Sequence, residues 1–316
     1  MDASDLLRNS LLQLSKSERI RDLVEQAPVS RSVVRRFVPG SQRADVVGAA
    51  AQLAGTGRRA TIDFLGEDTL DQAQATATKD AYVGLLRALH DQGLTSGGVV
   101  EVSLKLSALG RLLPGDGAKV ALSHAHEICT VATQVGTTVT LDMEDHTSTD
   151  DTLEALGALR QDFPSVGAVV QAYLHRTEAD CRDLAREGSR VRLCKGAYKE
   201  PESVAFQSGA EVDKSYVRCL KVLMQGPGYP MVASHDPRLV EIAGALAAQA
   251  GRGADSFEYQ MLYGIRPDEQ KRIADRGDQM RVYIPYGDEW YGYLMRRMAE
   301  RPGNVMFFLR GLATKG

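Results

Sequence analysis

One pattern constrains this chain more than any other: a short apolar run followed by a longer stretch of helical character, repeated eight times. The apolar runs cover residues 60–65, 99–104, 138–142, 167–171, 190–194, 230–234, 256–260 and 280–283. Helical patterning fills residues 70–90, 118–135, 149–163, 177–187, 202–224, 237–251 and 267–276 between them. Eight strand–helix units predict an α/β fold, a (β/α)8 TIM-type barrel of parallel strands. A doubly wound sheet is the alternative, but it normally has fewer strands and a glycine fingerprint after one of them. The GxG at Gly55-Thr56-Gly57 precedes a strand and is misplaced for a dinucleotide loop.

Ahead of the alternation the chain reads as helix. Leu6, Leu7, Leu11, Leu14 and Ile20 fit one amphipathic helix, Pro28 and the turn at 37–40 interrupt it, and a further helix is expected over 42–54. The expected division is therefore an N-terminal helical segment, 1–58, and a barrel domain, 59–316. A hydrophobic content of 43% and a charged content of 25% suit a globular protein that can bury one large core. A formal net charge of -3 leaves no basic footprint, which argues against a nucleic-acid partner. No apolar run reaches membrane-spanning length, and the first residues lack the apolar core of a signal peptide. Cys129, Cys181, Cys194 and Cys219 have no paired spacing, so reduced thiols and a cytoplasmic setting are expected.

In such a barrel, chemistry sits at the C-terminal ends of the strands. Here those ends carry Lys105, Asp142, Gln171, Arg192 and Lys195, Ser234 and His235, Glu258 and Gln260, and Tyr283. Gathering these around one axis costs several kcal/mol unless they pair or meet a ligand, so a charged or highly polar ligand is expected on top of the barrel. Asp142, Glu144, Asp145 and His146 have the residue types of a metal site, but a polar loop around one ion-paired aspartate is the preferred reading, and no metal is expected. His124 and His126, two apart on a helix, face different ways. The turn at Lys195-Gly196-Ala197 offers backbone N–H groups beside a cation, which suits phosphate.

The last helix adds an arginine pair. Tyr291, Leu294, Met295 and Met298 form an apolar stripe, with Tyr293, Arg296, Arg297 and Glu300 opposite. Taken alone, that polar face reads as solvated, with an intrahelical ion pair. Above a ring of polar strand ends, it reads as two guanidinium forks closing on a ligand carboxylate, with Glu300 holding one in place.

Several of these stretches resemble one family. Arg192-Leu193-Cys194-Lys195-Gly196-Ala197-Tyr198 resembles the RLVKGAY signature of the proline dehydrogenases, and residues 293–300 resemble their YLxRRxxE helix. Residues 103–108, 142–144 and 257–262 are similar to the family's KLSA, DMEx and EFQxL segments, in the same order. Cys194 stands where an aliphatic residue is common, and Lys199 stands where some members have tryptophan. The length resembles the short, single-function bacterial members.

The resemblance implies a distorted barrel that binds FAD without a Rossmann domain, with the last helix over the barrel mouth. It implies that Arg296, Arg297 and Lys105 grip the carboxylate of L-proline and that Glu300 pairs with the arginines. Tyr198, Tyr283 and Leu262 would pack around the pyrrolidine ring. Asp142 would hold the network of cations, and Arg192 would lie near flavin N5. Met143, Gln171, Lys195, Gly196, Ala197, Ser234 and His235 would contact FAD, with Glu258 on the adenosine side or in the barrel network. The implied reaction moves hydride from proline C5 to flavin N5 and gives Δ1-pyrroline-5-carboxylate, the first step of proline catabolism. A quinone would accept the electrons, through peripheral contact with the inner face of the membrane, and a pyrroline-5-carboxylate dehydrogenase would act next.

This chemistry agrees with the residues themselves. Several cations would orient a zwitterion by its carboxylate, and orientation is much of the work in hydride transfer. The same cations would lower the amine pKa toward the neutral form that must react. Two other readings compete: a Schiff-base enzyme using Lys105 or Lys195 as nucleophile, and a non-catalytic barrel that senses an amino acid.

Overall fold

The structure, a computed structural model, describes residues 34–300, with backbone alone for residues 296–300. The amphipathic helix expected over residues 6–20 lies outside the described residues.

Helix α1 (Arg43–Ala54) precedes an alternation of β1 (Arg59–Phe64), α2 (Gln72–Asp91), β2 (Val100–Leu104), α3 (Gly117–Gln134), β3 (Val139–Leu141), α4 (Thr149–Asp162), β4 (Ala168–Gln171) and α5 (Thr177–Leu184). The second half runs through β5 (Arg190–Cys194), α6 (Gly209–Gln225), β6 (Tyr229–Ala233), α7 (Pro237–Gln249), β7 (Glu258–Leu262), α8 (Pro267–Asp275), β8 (Met280–Tyr286) and α9 (Trp290–Glu300). The strands form one eight-stranded sheet in the order β3-β2-β1-β8-β7-β6-β5-β4, and every ladder is parallel. The sheet closes on itself through a bridge between Thr140 and Gly167. At that seam Leu141 N donates to Gly167 O (2.9 Å) and Gly167 N to Val139 O (2.8 Å). The barrel class read from the sequence is the observed fold.

Alternation along each strand explains the layering. Ile62, Val102, Leu104, Leu141, Val170, Leu193, Val232, Met261, Val282 and Ile284 are buried in one apolar core with the helices, which include Leu85, Leu86 and Ile128. Helix α1 joins this core through Val46, Ala50 and Leu53, so it packs on the barrel. The alternate strand positions point to the barrel axis, and many are polar. Glu101, Ser103, Arg192, Glu258, Gln260 and Arg281 are all buried. An ordinary barrel fills this space with layers of branched aliphatic residues.

Several expected boundaries differ from the structure: β8 runs on to Tyr286, α5 stops at Leu184, and two others have a local cause. Strand β7 starts two residues later than patterning suggests, because Ser256 closes a turn with Gly253 through both its backbone N (3.1 Å) and its hydroxyl (2.8 Å). Helix α6 begins at Gly209, well after residue 202. The intervening stretch hydrogen-bonds to the loop after β4: His175 N donates to Val204 O (2.9 Å) and Phe206 N to Tyr173 O (2.8 Å).

Helix α9 belongs to a separate apolar cluster, in which Tyr291, Tyr293, Leu294 and Met295 pack with Phe37, Val38 and Leu65. Leu65 follows β1, so the cluster stands at the end of the barrel where the strands finish. Of the stripe expected at Tyr291, Leu294, Met295 and Met298, the first three are buried, and the side chain of Met298 lies outside the described residues. Tyr293, assigned from the sequence to the opposite face, is buried in the same cluster, because the segment around Phe37 gives the helix a second apolar neighbour.

Candidate active site

The axis of the barrel holds charge in two tiers. In the lower tier, Glu101 receives Arg190 Nη2 at 2.5 Å and lies 3.9 Å from both Arg192 Nη2 and Arg281 Nε. Glu258 accepts from Arg281 Nε at 2.7 Å. Burial alone would push the Glu101 carboxyl up, but Arg190, Arg281 and Arg192 outweigh it and hold the pKa at about 2. Arg281 is tied to the backbone, donating from Nη1 to Ala60 O (2.8 Å) and from Nη2 to Gly98 O (3.1 Å).

The upper tier centres on Arg192 and Asp142. Arg192 Nη1 donates to Asp142 Oδ1 (2.5 Å) and to Ser103 Oγ (2.9 Å), and its Nε donates to Gln260 Oε1 (2.6 Å). Tyr283 donates its hydroxyl to Asp142 Oδ2 (2.9 Å), and the Arg192 guanidinium stands 5.5 Å from the Tyr283 ring centroid. Burial and the nearby Asp142 keep the Tyr283 phenol well above its ordinary pKa, so it remains a donor. Burial works against the Arg192 cation, but Asp142 reverses that and raises its pKa.

Lys105 donates to Asp63 Oδ2 at 2.5 Å. Asp63 also accepts from Tyr82 OH at 3.2 Å. Burial disfavours the ammonium, but Asp63 more than offsets it and raises the Lys105 pKa. Burial also pushes the Asp63 carboxyl up, with Lys105 pulling the other way; the short contact between them favours the ion pair. A Schiff-base nucleophile must present a neutral amine, so a buried, paired Lys105 does not fit that reading. Lys195 is also paired, with Asp213 Oδ1 (2.5 Å) and Asp236 Oδ2 (3.3 Å).

The other expected positions fall around the same rim, except Glu258, which begins β7 and lies in the lower tier, so it is not the strand-end residue expected from the sequence. Met143 and Gln171 are buried, and Gln171 Nε2 donates to Glu144 O at 2.7 Å. Ser234 Oγ accepts from Asp236 N at 3.2 Å. His235 Nε2 accepts from Leu262 N at 2.9 Å, which places the proton of the neutral ring on Nδ1. Ala197, Tyr198 and Leu262 are half-buried. Glu258 lies in the barrel network, fully buried. The side chains of Arg296, Arg297 and Glu300 lie outside the described residues, although the backbone of α9 carries them. The residues weighed as a metal site diverge: Glu144 accepts from Ser107 N (3.1 Å), Asp145 accepts from Thr147 N (3.1 Å), and His146 Nδ1 bonds Glu200.

Sequence reasoning missed Asp63, Glu101 and Arg281, and gave no role to Ser103 or Gln260. The signal was present: each is a polar residue at an alternate position inside an otherwise apolar strand, the position that faces a barrel axis.

Gly196 supplies a test of the phosphate-type turn. Its φ is +119°, and a Cβ built there would stand 2.3 Å from the Tyr173 ring. Gly196→Ala is expected to destabilise the fold by about 1–3 kcal/mol, through a disallowed backbone and a clash. A thermal melt indistinguishable from wild type would show that the turn relaxes freely.

Comparison with known proteins gives consistent matches. The family model described as Proline dehydrogenase matches residues 46–310. Proline dehydrogenase 1 of Bacillus subtilis (strain 168) is 37% identical over 98% of this chain and 100% of its own length. Proline dehydrogenase of Deinococcus radiodurans is 36% identical over 97% of this chain and 98% of its own. Among solved structures, proline utilization A (PutA) from Bdellovibrio bacteriovorus, inactivated by N-propargylglycine, superposes with a TM-score of 0.79 at 25% identity. The match covers 86% of this chain and 33% of that one, so this chain spans about a third of the PutA polypeptide.

Proposed function

Because the chain belongs to the proline dehydrogenase family, we propose that it oxidises L-proline to Δ1-pyrroline-5-carboxylate with FAD as cofactor. The observation that carries this reading is the Arg192–Asp142–Tyr283 cluster beside Lys105, a fixed, buried set of cations and donors at the mouth of the barrel.

The residues present fit FAD chemically. Its diphosphate is anionic and its ring edge is polar. The rim offers Lys195, the backbone at 195–197 with the left-handed Gly196, the Gln171 amide and the Ser234 hydroxyl. These residues, with Met143, Ala197 and His235, would hold the cofactor, and Arg192 would lie against its redox-active ring. FAD supplies the hydride acceptor, N5, for the hydrogen on proline C5.

The protein's own groups do the rest. Arg296, Arg297 and Lys105 bind the proline carboxylate, and Glu300 pairs with the arginines. Tyr198, Tyr283 and Leu262 enclose the ring. Asp142 fixes Arg192 and Tyr283 at once, so the cation and the phenol cannot move independently. Positive charge around the carboxylate lowers the pKa of the amine, so proline reacts as the free base without a dedicated general base. The apolar seat of α9 at the end of the barrel where the strands finish would help keep water from the site.

By the family resemblance, the electrons pass on to a quinone, reached by peripheral contact with the inner face of the membrane, and the product to a pyrroline-5-carboxylate dehydrogenase. Among the described residues, no helix is long and apolar enough to cross a membrane.

The deciding experiment is a visible spectrum. Purified protein is expected to show a flavin band near about 450 nm that proline bleaches. A colourless protein that FAD cannot reconstitute would overturn the proposal. Arg296→Ala or Arg297→Ala is expected to raise KM for proline by at least about tenfold with FAD retained, since each change removes a charge-assisted contact. Wild-type kinetics in both variants would exclude the carboxylate grip.

A further inference from the structure

We propose that Gln260 is a positioning residue for the reaction: it sets the plane of the Arg192 guanidinium without neutralising its charge. This rests on the reading that Arg192 faces the cofactor. Arg192 has close contacts on two sides, while its Nη2 is held only loosely, 3.5 Å from Thr61 Oγ1 and 3.9 Å from Glu101. On one side, Nη1 donates to Asp142 and Ser103. On the other, Nε donates to Gln260 Oε1 at 2.6 Å. One anchored edge leaves a planar fork free to rotate about it, and a second contact at Nε fixes the plane.

Gln260 can do this because it is itself fixed. Its Nε2 donates to Glu258 Oε1 at 2.5 Å, and the same oxygen accepts from Arg281 Nε at 2.7 Å. The amide orientation is unambiguous, since a guanidinium only donates and an ionised carboxylate only accepts. Arg281 is anchored to backbone carbonyls at the opposite end of the barrel. Gln260, Glu258 and Arg281 are all buried, at 3%, 0% and 2% exposure, so water cannot substitute for any link. A rigid line therefore runs from the backbone of β1 through β8 and β7 to the guanidinium on β5.

The residue type carries the second half of the inference. Arg192 already carries one short ion pair, with Asp142 at 2.5 Å, and Glu101 stands 3.9 Å away. A carboxylate at 260 would hold Arg192 equally well but would add a further anion beside it, whereas a neutral amide fixes the geometry without making the local field more negative, which a reduced and more anionic ring would oppose.

The test compares Gln260→Leu with the double variant Glu258→Gln/Gln260→Glu, each as FAD-loaded enzyme. In Gln260→Leu the hold is lost. FAD occupancy and KM for proline are expected to stay within about threefold of wild type, with kcat down at least about tenfold and the flavin midpoint potential shifted. In the double variant one carboxylate and one amide exchange places, so the hold is kept and Arg192 gains a second carboxylate besides Asp142. Its kcat is expected to exceed that of Gln260→Leu, while its midpoint potential falls below wild type.

Gln260→Leu with wild-type kcat and potential would overturn the proposal, as would a double variant with an unchanged potential. If Gln260→Leu fails to fold, the potential of the double variant decides alone. Wild-type enzyme whose flavin proline does not reduce would sink the proposed function instead, and the potentials of the variants would still report whether Gln260 acts through Arg192 on the cofactor.

Discussion

Arg192→Leu is expected to lower kcat by about a hundredfold to a thousandfold and to destabilise the fold by about 3–5 kcal/mol. The two effects have one origin. Removing the guanidinium strands the buried Asp142 carboxylate, which among the described residues keeps Ser103 and Tyr283 as donors (2.8 and 2.9 Å). It also leaves Gln260 Oε1 without its donor inside the barrel. A stranded buried charge costs more than the net worth of the pair that held it. Steady-state kinetics with proline and a denaturant titration on the same protein check both halves. Normal stability with lost turnover would mean that Asp142 relaxes to water. Lost stability with normal turnover would mean that Arg192 is architecture alone.

Glu101→Gln is expected to separate architecture from chemistry. Glu101 lies among three guanidiniums, those of Arg190, Arg192 and Arg281. The neutral amide keeps the volume but removes the charge that balances them, so about 3–5 kcal/mol of stability should go. The FAD contacts proposed for the rim are untouched, so FAD occupancy of the folded fraction should stay near wild type.

The pH dependence has a definite sign. The folded-state pKa of Glu101, about 2, lies below the ordinary 4.5. A depressed carboxylate stabilises the fold above the ordinary value and loses that contribution as pH falls toward the folded one. Wild type should therefore lose stability between about pH 4.5 and 2 through this group, and Glu101→Gln should show a shallower acid limb. Parallel acid limbs in the two proteins would show that other carboxylates dominate acid unfolding.

The barrel was legible because parallel strands packed under helices must carry apolar residues on their outward face, as Ile62, Val102 and Val282 do. Strand ends with Lys105, Asp142 and Arg192 pointed to a polar mouth for the same reason. The pairings were not legible. Asp63 reaches Lys105 across 42 positions of sequence, and Arg192 reaches Asp142 across 50. Nothing local specifies such a partner, since closure of the sheet creates the contact. The seat of α9 on Phe37 and Val38 was hidden likewise, because Phe37 reads locally as part of a turn. Local patterning also failed where tertiary contact won, as at 202–208, where pairing with the loop after β4 replaces helix.

A closed hoop is as stiff as its thinnest joint. Strands β1 and β8 share six registered residue pairs, whereas β3 is joined to the residue just before β4 by the isolated Thr140–Gly167 bridge. Asp142 lies one residue beyond the end of β3, and Arg192 stands on β5, on the far side of that joint. Their ion pair spans the gap like a rivet, with Ser103 of β2 and Tyr283 of β8 fastened to the same carboxylate. The ion pair proposed to shape the reaction site therefore also helps to keep the ring shut. Tuning the chemistry by substitution at Asp142 or Arg192 loosens the hoop, and these two positions cannot change independently of each other.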